Sequence, residues 1–219
     1  MTLKLSEFVL WAFKLDLSES RAFTLENRCV CAHFERHFQG IDTKDTYRVI
    51  IKLSSQDSRI GTTESSGSVL MYYDSFDFDY FYRLIGQERK QYLLDTLVSS
   101  VLKLCKLEGW SSEPFETAKQ KVIQDQFDNS YEVVRKSNPS RKLVATLLAE
   151  HTENEFSLCV VIRDKQNNII MQKQVLSAVP DEMLFNSQVG RLKWLSNEEL
   201  TYCAKDKSVI ESFQIGSKC

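Results

Sequence analysis

Glycine is scarce in this chain, with seven among 219 residues, and proline scarcer still, with three. The closest glycines, Gly61 and Gly67, bracket Gly-Thr-Thr-Glu-Ser-Ser-Gly-Ser, one residue too long for a phosphate loop and without a lysine after the second glycine. No dinucleotide fingerprint occurs either, so the sequence shows no cradle built on close backbone approach to phosphate. Charge of one sign is also missing: the formal net charge is -2. Polyanion binders need clustered positive charge to release counterions, which argues against nucleic acid and anionic membranes as partners. No run approaches the ~18 consecutive apolar residues of a membrane span. The opening from Glu7 to Leu17 contains Lys14 and Asp16 and lacks both the uninterrupted apolar core and the cleavage site of a signal peptide. The expectation is a cytoplasmic protein.

What is present suits a packed core. Hydrophobic residues make up 42% of the chain and charged residues 26%, the balance of a globular protein of one large domain or two small ones. Six cysteines, at 29, 31, 105, 159, 203 and 219, could pair in an oxidising compartment, but a chain this long folds without staples and no export signal is visible. They read as reduced thiols, with Cys105 and Cys159 as small buried side chains in apolar runs.

Periodicity gives the architecture. Val9, Trp11, Phe13, Leu15 and Leu17 share one face of an extended segment, and Val30, Ala32 and Phe34 one face of the next. Strands from Tyr47 to Leu53 and Ser68 to Tyr73 follow, and the spacing predicts an antiparallel meander. After Gly86 the period changes. Leu94, Leu97, Val98, Val101, Leu102 and Cys105 recur at helical spacing opposite Asp95, Ser99, Lys103 and Lys106, and Leu93 and Leu104 widen the apolar face enough for it to lie on a sheet. Gly109 stops this helix, and a second opens at Ser111 or Ser112 and reaches about Phe127. A polar bridge from Asp128 to Arg141 is the best place for an internal boundary. Strands follow over Leu143 to Glu150, Phe156 to Arg163 and Ile169 to Leu176, with a turn at Asp164 to Asn168, and two more surround Trp194 and Tyr202. The fold class expected is α+β: a single domain with a central pair of helices between an N-terminal and a C-terminal β-meander.

Cys29, Cys31, His33 and His37 fall within nine residues and include metal-ligand types. On one strand they would share a face, but Cys29 and His37 would lie too far apart to meet one ion. On a helix the two histidines would meet at i and i+4, yet His-Phe-Glu-Arg-His misses the zinc-protease pattern, whose glutamate directly follows the first histidine. The favoured reading is a half-buried strand with small thiols and exposed imidazoles, and no metal or cofactor. No nucleophile elbow or cysteine signature suggests covalent catalysis. His151, in an acidic stretch at a strand end, reads as a solvated hairpin tip.

The most unusual segment is Tyr72 to Tyr82, with seven aromatic rings and three aspartates in eleven residues. Strand alternation would set Phe76, Phe78 and Tyr80 on one side and Asp77, Asp79 and Phe81 on the other, with about four of the rings in a core. Rings on both sides leave aromatic surface exposed beside carboxylates, which is binding chemistry: contact area at low entropy cost, plus charge that attracts basic surfaces. Tyr72, Tyr73, Asp74, Asp77, Asp79, Tyr80 and Tyr82 are the expected partner-binding residues.

The segment precedes a helix of the form Glu-Arg-Lys-x-Tyr-Leu-Leu-Asp-x-Leu (Glu88 to Leu97), which ends at Glu-Gly-Trp (Glu108 to Trp110). A second helix, strands and Gly-Arg-Leu-Lys-Trp-Leu-Ser (Gly190 to Ser196) follow. Over Tyr47 to Tyr202 this layout resembles immunity-type proteins of bacterial polymorphic toxin systems. The resemblance implies a cytoplasmic protein that binds and blocks a toxin domain with no chemistry of its own. Immunity proteins against nucleases are often strongly acidic, and this chain is only mildly so, which argues against a nuclease target. The alternatives are an enzyme using a Cys/His or metal site around Cys29 to His37, and a component that buries the same rings against its own copy.

Overall fold

The structure, a computed structural model, describes residues 2–13 and 15–216, with backbone alone for Glu182 and Met183. Lys14 and Cys219 lie outside the described residues. The chain divides into two compact units, Met1–Asn129 and Ser130–Cys219, each with its own apolar core. The fold class is α+β.

In the first unit, β1 (Leu3–Leu5) leads into β2 (Glu7–Ala12), and the chain then enters helix α1 (Leu17–His37). The strand expected over Val30 to Phe34 is therefore helix. Its start is encoded by Asp16, whose side chain accepts the Glu19 N–H at 2.8 Å as an N-cap, and no glycine or proline interrupts it. The alternation of Val30, Ala32 and Phe34 is misleading because every residue from Cys29 to Phe34 is buried, so no polar face reveals the helical period there.

This helix changes the topology. Strands β3 (Ile41–Thr43), β4 (Arg48–Ser54), β5 (Thr63–Ser66) and β6 (Val69–Ser75) follow. β3 pairs with β1, and the remaining strands form a sheet in the order β2-β4-β6-β5. β2, β4 and β6 are parallel, and only β5 is antiparallel to its neighbour. The antiparallel meander expected here is thus replaced by a mixed sheet: a 21-residue helix carries the chain back so that β4 runs parallel to β2, and β6 enters between β4 and β5, parallel to the first and antiparallel to the second.

Registered rows such as Phe8–Val49–Leu70 and Leu10–Ile51–Tyr72 face the core. The same core holds Phe23, Val30 and Phe34 of α1. After the short α2 (Phe78–Arg83) come α3 (Gly86–Glu108) and α4 (Glu113–Gln124), which add Leu94, Leu97, Val101, Phe115 and Val122. α3 ends where Gly109 takes φ 71°, a left-handed cap that lets its N–H reach the Cys105 carbonyl.

α1 also closes the edge of the sheet. Ser20 Oγ donates to the Ala12 carbonyl (2.8 Å), Asn27 Nδ2 to that of Leu10 (3.1 Å) and Arg28 to that of Phe8 (2.9 Å). Glu35, ion-paired with Arg28, accepts the Phe8 N–H at 2.6 Å. Backbone groups that an edge strand would leave open are satisfied by one helix running back along it.

The second unit is β-rich. β7 (Ser130–Ser137), β8 (Leu143–His151), β9 (Phe156–Asp164) and β10 (Ile169–Ala178) form an antiparallel sheet in chain order. The polar stretch before Leu143 is thus largely an edge strand, with Tyr131 and Val134 half-buried. After helix α5 (Glu182–Phe185), strands β11 (Arg191–Trp194), β12 (Glu199–Cys203) and β13 (Val209–Gln214) form a second antiparallel sheet. Leu147, Leu158 and Val160 pack in one core with Phe185, Leu192, Leu200, Tyr202 and Phe213. Gly190 permits the entry to β11, since a Cβ there would lie 2.1 Å from the Cys203 carbonyl oxygen.

Candidate functional site

The seven expected contact residues separate into two groups because the extended backbone ends at Ser75. Tyr72, Tyr73 and Asp74 lie on β6 and are buried, so they do not offer a surface. Tyr72 faces the helices. Tyr73, on the opposite face, donates its hydroxyl to Glu64 (2.6 Å) and accepts from Lys52 (3.1 Å) and Arg59 (3.0 Å), whose guanidinium stacks 4.3 Å above the ring. Asp74 accepts from Ser100 Oγ at 2.7 Å and from Lys103 Nζ at 2.7 and 2.8 Å, tying β6 to α3. A carboxylate in such a place is satisfied internally and is not available to a partner.

The second group is displayed by α2. Asp77 caps this helix by accepting the Tyr80 N–H at 2.8 Å, and both Asp77 and Asp79 are exposed. One helical turn then sends Phe81 into the core, while Tyr80 and Tyr82 are 43% and 50% exposed. Ile85, immediately beyond, is 76% exposed and escaped the sequence reading because an isolated aliphatic residue carries no pattern. The exposed rings rest on others: Tyr80 meets Tyr92 edge-on at 5.2 Å and Tyr82 meets Phe81 at 5.1 Å. Beneath them Phe76, Phe81 and Phe23 are buried in mutual contact. Partial burial, then the nearby Glu26 and Glu19 carboxylates, push the Tyr82 hydroxyl above its ordinary pKa, and the Arg83 guanidinium lies 5.9 Å from the centre of the Tyr80 ring, so both carboxylates and a cation border the patch. Four of the seven rings, Tyr72, Tyr73, Phe76 and Phe81, are core.

A second cluster forms where α1 meets the end of α4. His33 and His37, one turn apart on α1, have ring centroids 5.1 Å apart. Their Nε2 atoms lie 3.2 and 2.7 Å from one oxygen, Oδ2 of Asp125. Burial, opposed by the Asp125 contact, lowers the His33 pKa. At Asp125 desolvation acts upward, but the hydrogen bonds from His33 and His37 hold the carboxyl below its ordinary value. The exposed imidazoles expected from a strand are thus one buried ring and one partly exposed ring. Cys29 and Cys31 do not join them. The Cys29 thiol turns back to the Glu26 carbonyl (3.7 Å) and that of Cys31 to the Asn27 side chain (3.6 Å). His151 is not a solvated tip. It is buried at the end of β8, edge-on to Phe156 and Phe185 at 5.9 and 5.4 Å.

Comparisons with family models, curated proteins and solved structures return no match. Among the described residues no helix is long and apolar enough to cross a membrane.

Proposed function

We propose that this protein is a non-enzymatic binding protein that masks a basic surface of a protein partner by steric occlusion, in the manner of an immunity protein blocking a toxin domain. The contact surface is the α2 edge: Asp77, Asp79, Tyr80, Tyr82 and Ile85. The observation that carries this reading is the exposure of two tyrosines and an isoleucine beside carboxylates, above a buried aromatic floor that already holds the rings in place. Rings ordered before binding lose little entropy on contact, and each offers a large amphipathic area. The carboxylates supply long-range attraction and reject acidic surfaces.

The test is titration calorimetry and stopped-flow mixing with toxin domains encoded beside its gene. Tyr80→Ala and Tyr82→Ala are each expected to weaken binding by about 10- to 100-fold, mainly through faster dissociation. Asp77→Asn with Asp79→Asn keeps the helix cap and is expected to slow association and flatten its salt dependence. Unchanged affinity in the tyrosine variants removes the proposal.

A further inference from the structure

The His33, His37 and Asp125 cluster has a geometry that a simple clasp between helices does not require. Both imidazoles converge on the same carboxylate oxygen, although a carboxylate has two. One potential ligand atom from each of His33, His37 and Asp125 lies within 4.8 Å of the other two. Ligands bonded to a tetrahedral ion at about 2.0–2.2 Å stand ~3.3–3.5 Å apart. The His33 contact, at 3.2 Å, is near that spacing already. The His37 contact, at 2.7 Å, has to open by only ~0.6–0.8 Å to reach the same spacing. The side chains that must give way are the freer ones, because His37 and Asp125 are 25% and 45% exposed against 2% for His33.

The frame around these atoms is built. On α1 the histidines continue a stripe begun by buried Asn27 and Val30, and α1 is pinned along β2 by four side chains. At the other wall the chain leaves α4 through two consecutive non-glycine residues in the left-handed region, Gln126 at φ 53° and Phe127 at φ 61°, a conformation that surrounding contacts must hold in place. Phe127 is buried, and Asn129 fastens the turn by donating Nδ2 to the Cys29 carbonyl at 2.9 Å, one helical turn before His33. The Asn129 Oδ1 atom is buried with no hydrogen-bond partner among the described residues. Asp125 is thereby delivered to a fixed place against α1.

We propose that His33 Nε2, His37 Nε2 and Asp125 Oδ2 are the protein ligands of a divalent transition-metal site, with the remaining coordination open to water on the exposed side. Two imidazoles and one carboxylate form a borderline nitrogen and oxygen donor set. It suits zinc, cobalt or nickel, is too soft for the all-oxygen shells of magnesium and calcium, and lacks the thiolates that Cu(I) favours. To bind, each imidazole presents its Nε2 lone pair and carries its proton on Nδ1. The ion then takes the place of the hydrogen bonds now made to Asp125 and joins α1 to the end of α4.

The experiment uses the full chain without an affinity tag, stripped with a chelator, and titrates Zn(II) against a chromophoric competitor, with Co(II) as the spectroscopic probe. Expected are one saturable site, a rise in melting temperature with zinc but not with magnesium or calcium, and visible Co(II) absorption without a thiolate charge-transfer band. Paramagnetic Co(II) should broaden the imidazole NMR signals of His33 and His37, two of the chain's three histidines. His37→Ala and Asp125→Asn, at partly exposed positions where circular dichroism can verify folding, are each expected to weaken zinc binding by about 100-fold or more, beyond the usual cost of losing an outer partner. No saturable binding in the wild type overturns the proposal. So does a thiolate band, or full affinity in Asp125→Asn, which would reduce the site to two histidines on a helix.

Discussion

At the scale of single residues, burial decides which chemical groups can act. Cys31 is wholly buried, and burial pushes its thiol up to about 12; Cys105 rises to about 11 for the same reason. The thiolate is the reactive species, so at pH 8 only about one Cys31 in ten thousand is nucleophilic even before access is considered. Iodoacetamide at that pH is expected to leave both residues unmodified in the native protein and to modify both after unfolding, as read by peptide mass spectrometry. Rapid labelling of Cys31 in the native state would show that α1 opens. The same logic separates the residues of the aromatic segment. Asp74 and Asp77 are three positions apart and chemically identical, yet one is locked to Ser100 and Lys103 while the other caps a surface helix. Composition displayed the segment, but which of its members face outward depends on where the strand ends.

At the scale of elements, α1 and β2 act as one object. Removing the Glu35 carboxylate takes away the side-chain acceptor of the Phe8 N–H and the ion pair between Glu35 and Arg28. Glu35→Ala is therefore expected to cost about 2 kcal/mol in urea unfolding and to speed amide exchange at Phe8 more than at Val49 in the neighbouring central strand. A loss below the error of measurement would mean that water replaces Glu35 at no cost. This pair also marks the limit of what the sequence discloses. α3 was legible because Leu94, Leu97, Val98 and Val101 alternate with a clean polar stripe, and the β9–β10 hairpin because Asp164 to Asn168 carries turn formers, with the Asp164 side chain accepting the Gln166 and Asn168 N–H groups. α1 was not, since a helix buried on all sides over Cys29 to Phe34 has no polar period to read. Without α1 the parallel β2–β4 pair could not be foreseen, and the polar β5 gives no sign that β6 enters between it and β4. Asp125 stands 92 residues from His33, so only the folded chain brings the cluster together.

At the scale of the molecule, two separate cores imply two separable stabilities. Leu147 is fully buried in the second core and shares no cluster with the first. Leu147→Ala is expected to destabilise the second unit by about 2–5 kcal/mol, the usual range for a buried leucine. Hydrogen exchange read by mass spectrometry should quicken across β8, β9 and β12 while α3 and β4 keep their protection. Equal loss of protection in both units would show that they unfold as one.

The helix laid along β2 has a consequence for solubility. Aggregation by strand addition needs a free flank that can template an incoming chain. On the β2 side of the mixed sheet, the carbonyls of Phe8, Leu10 and Ala12 are already occupied. On the other side the outermost strand is β5, four residues reading Thr-Glu-Ser-Ser, too short and too polar to seed a fibril.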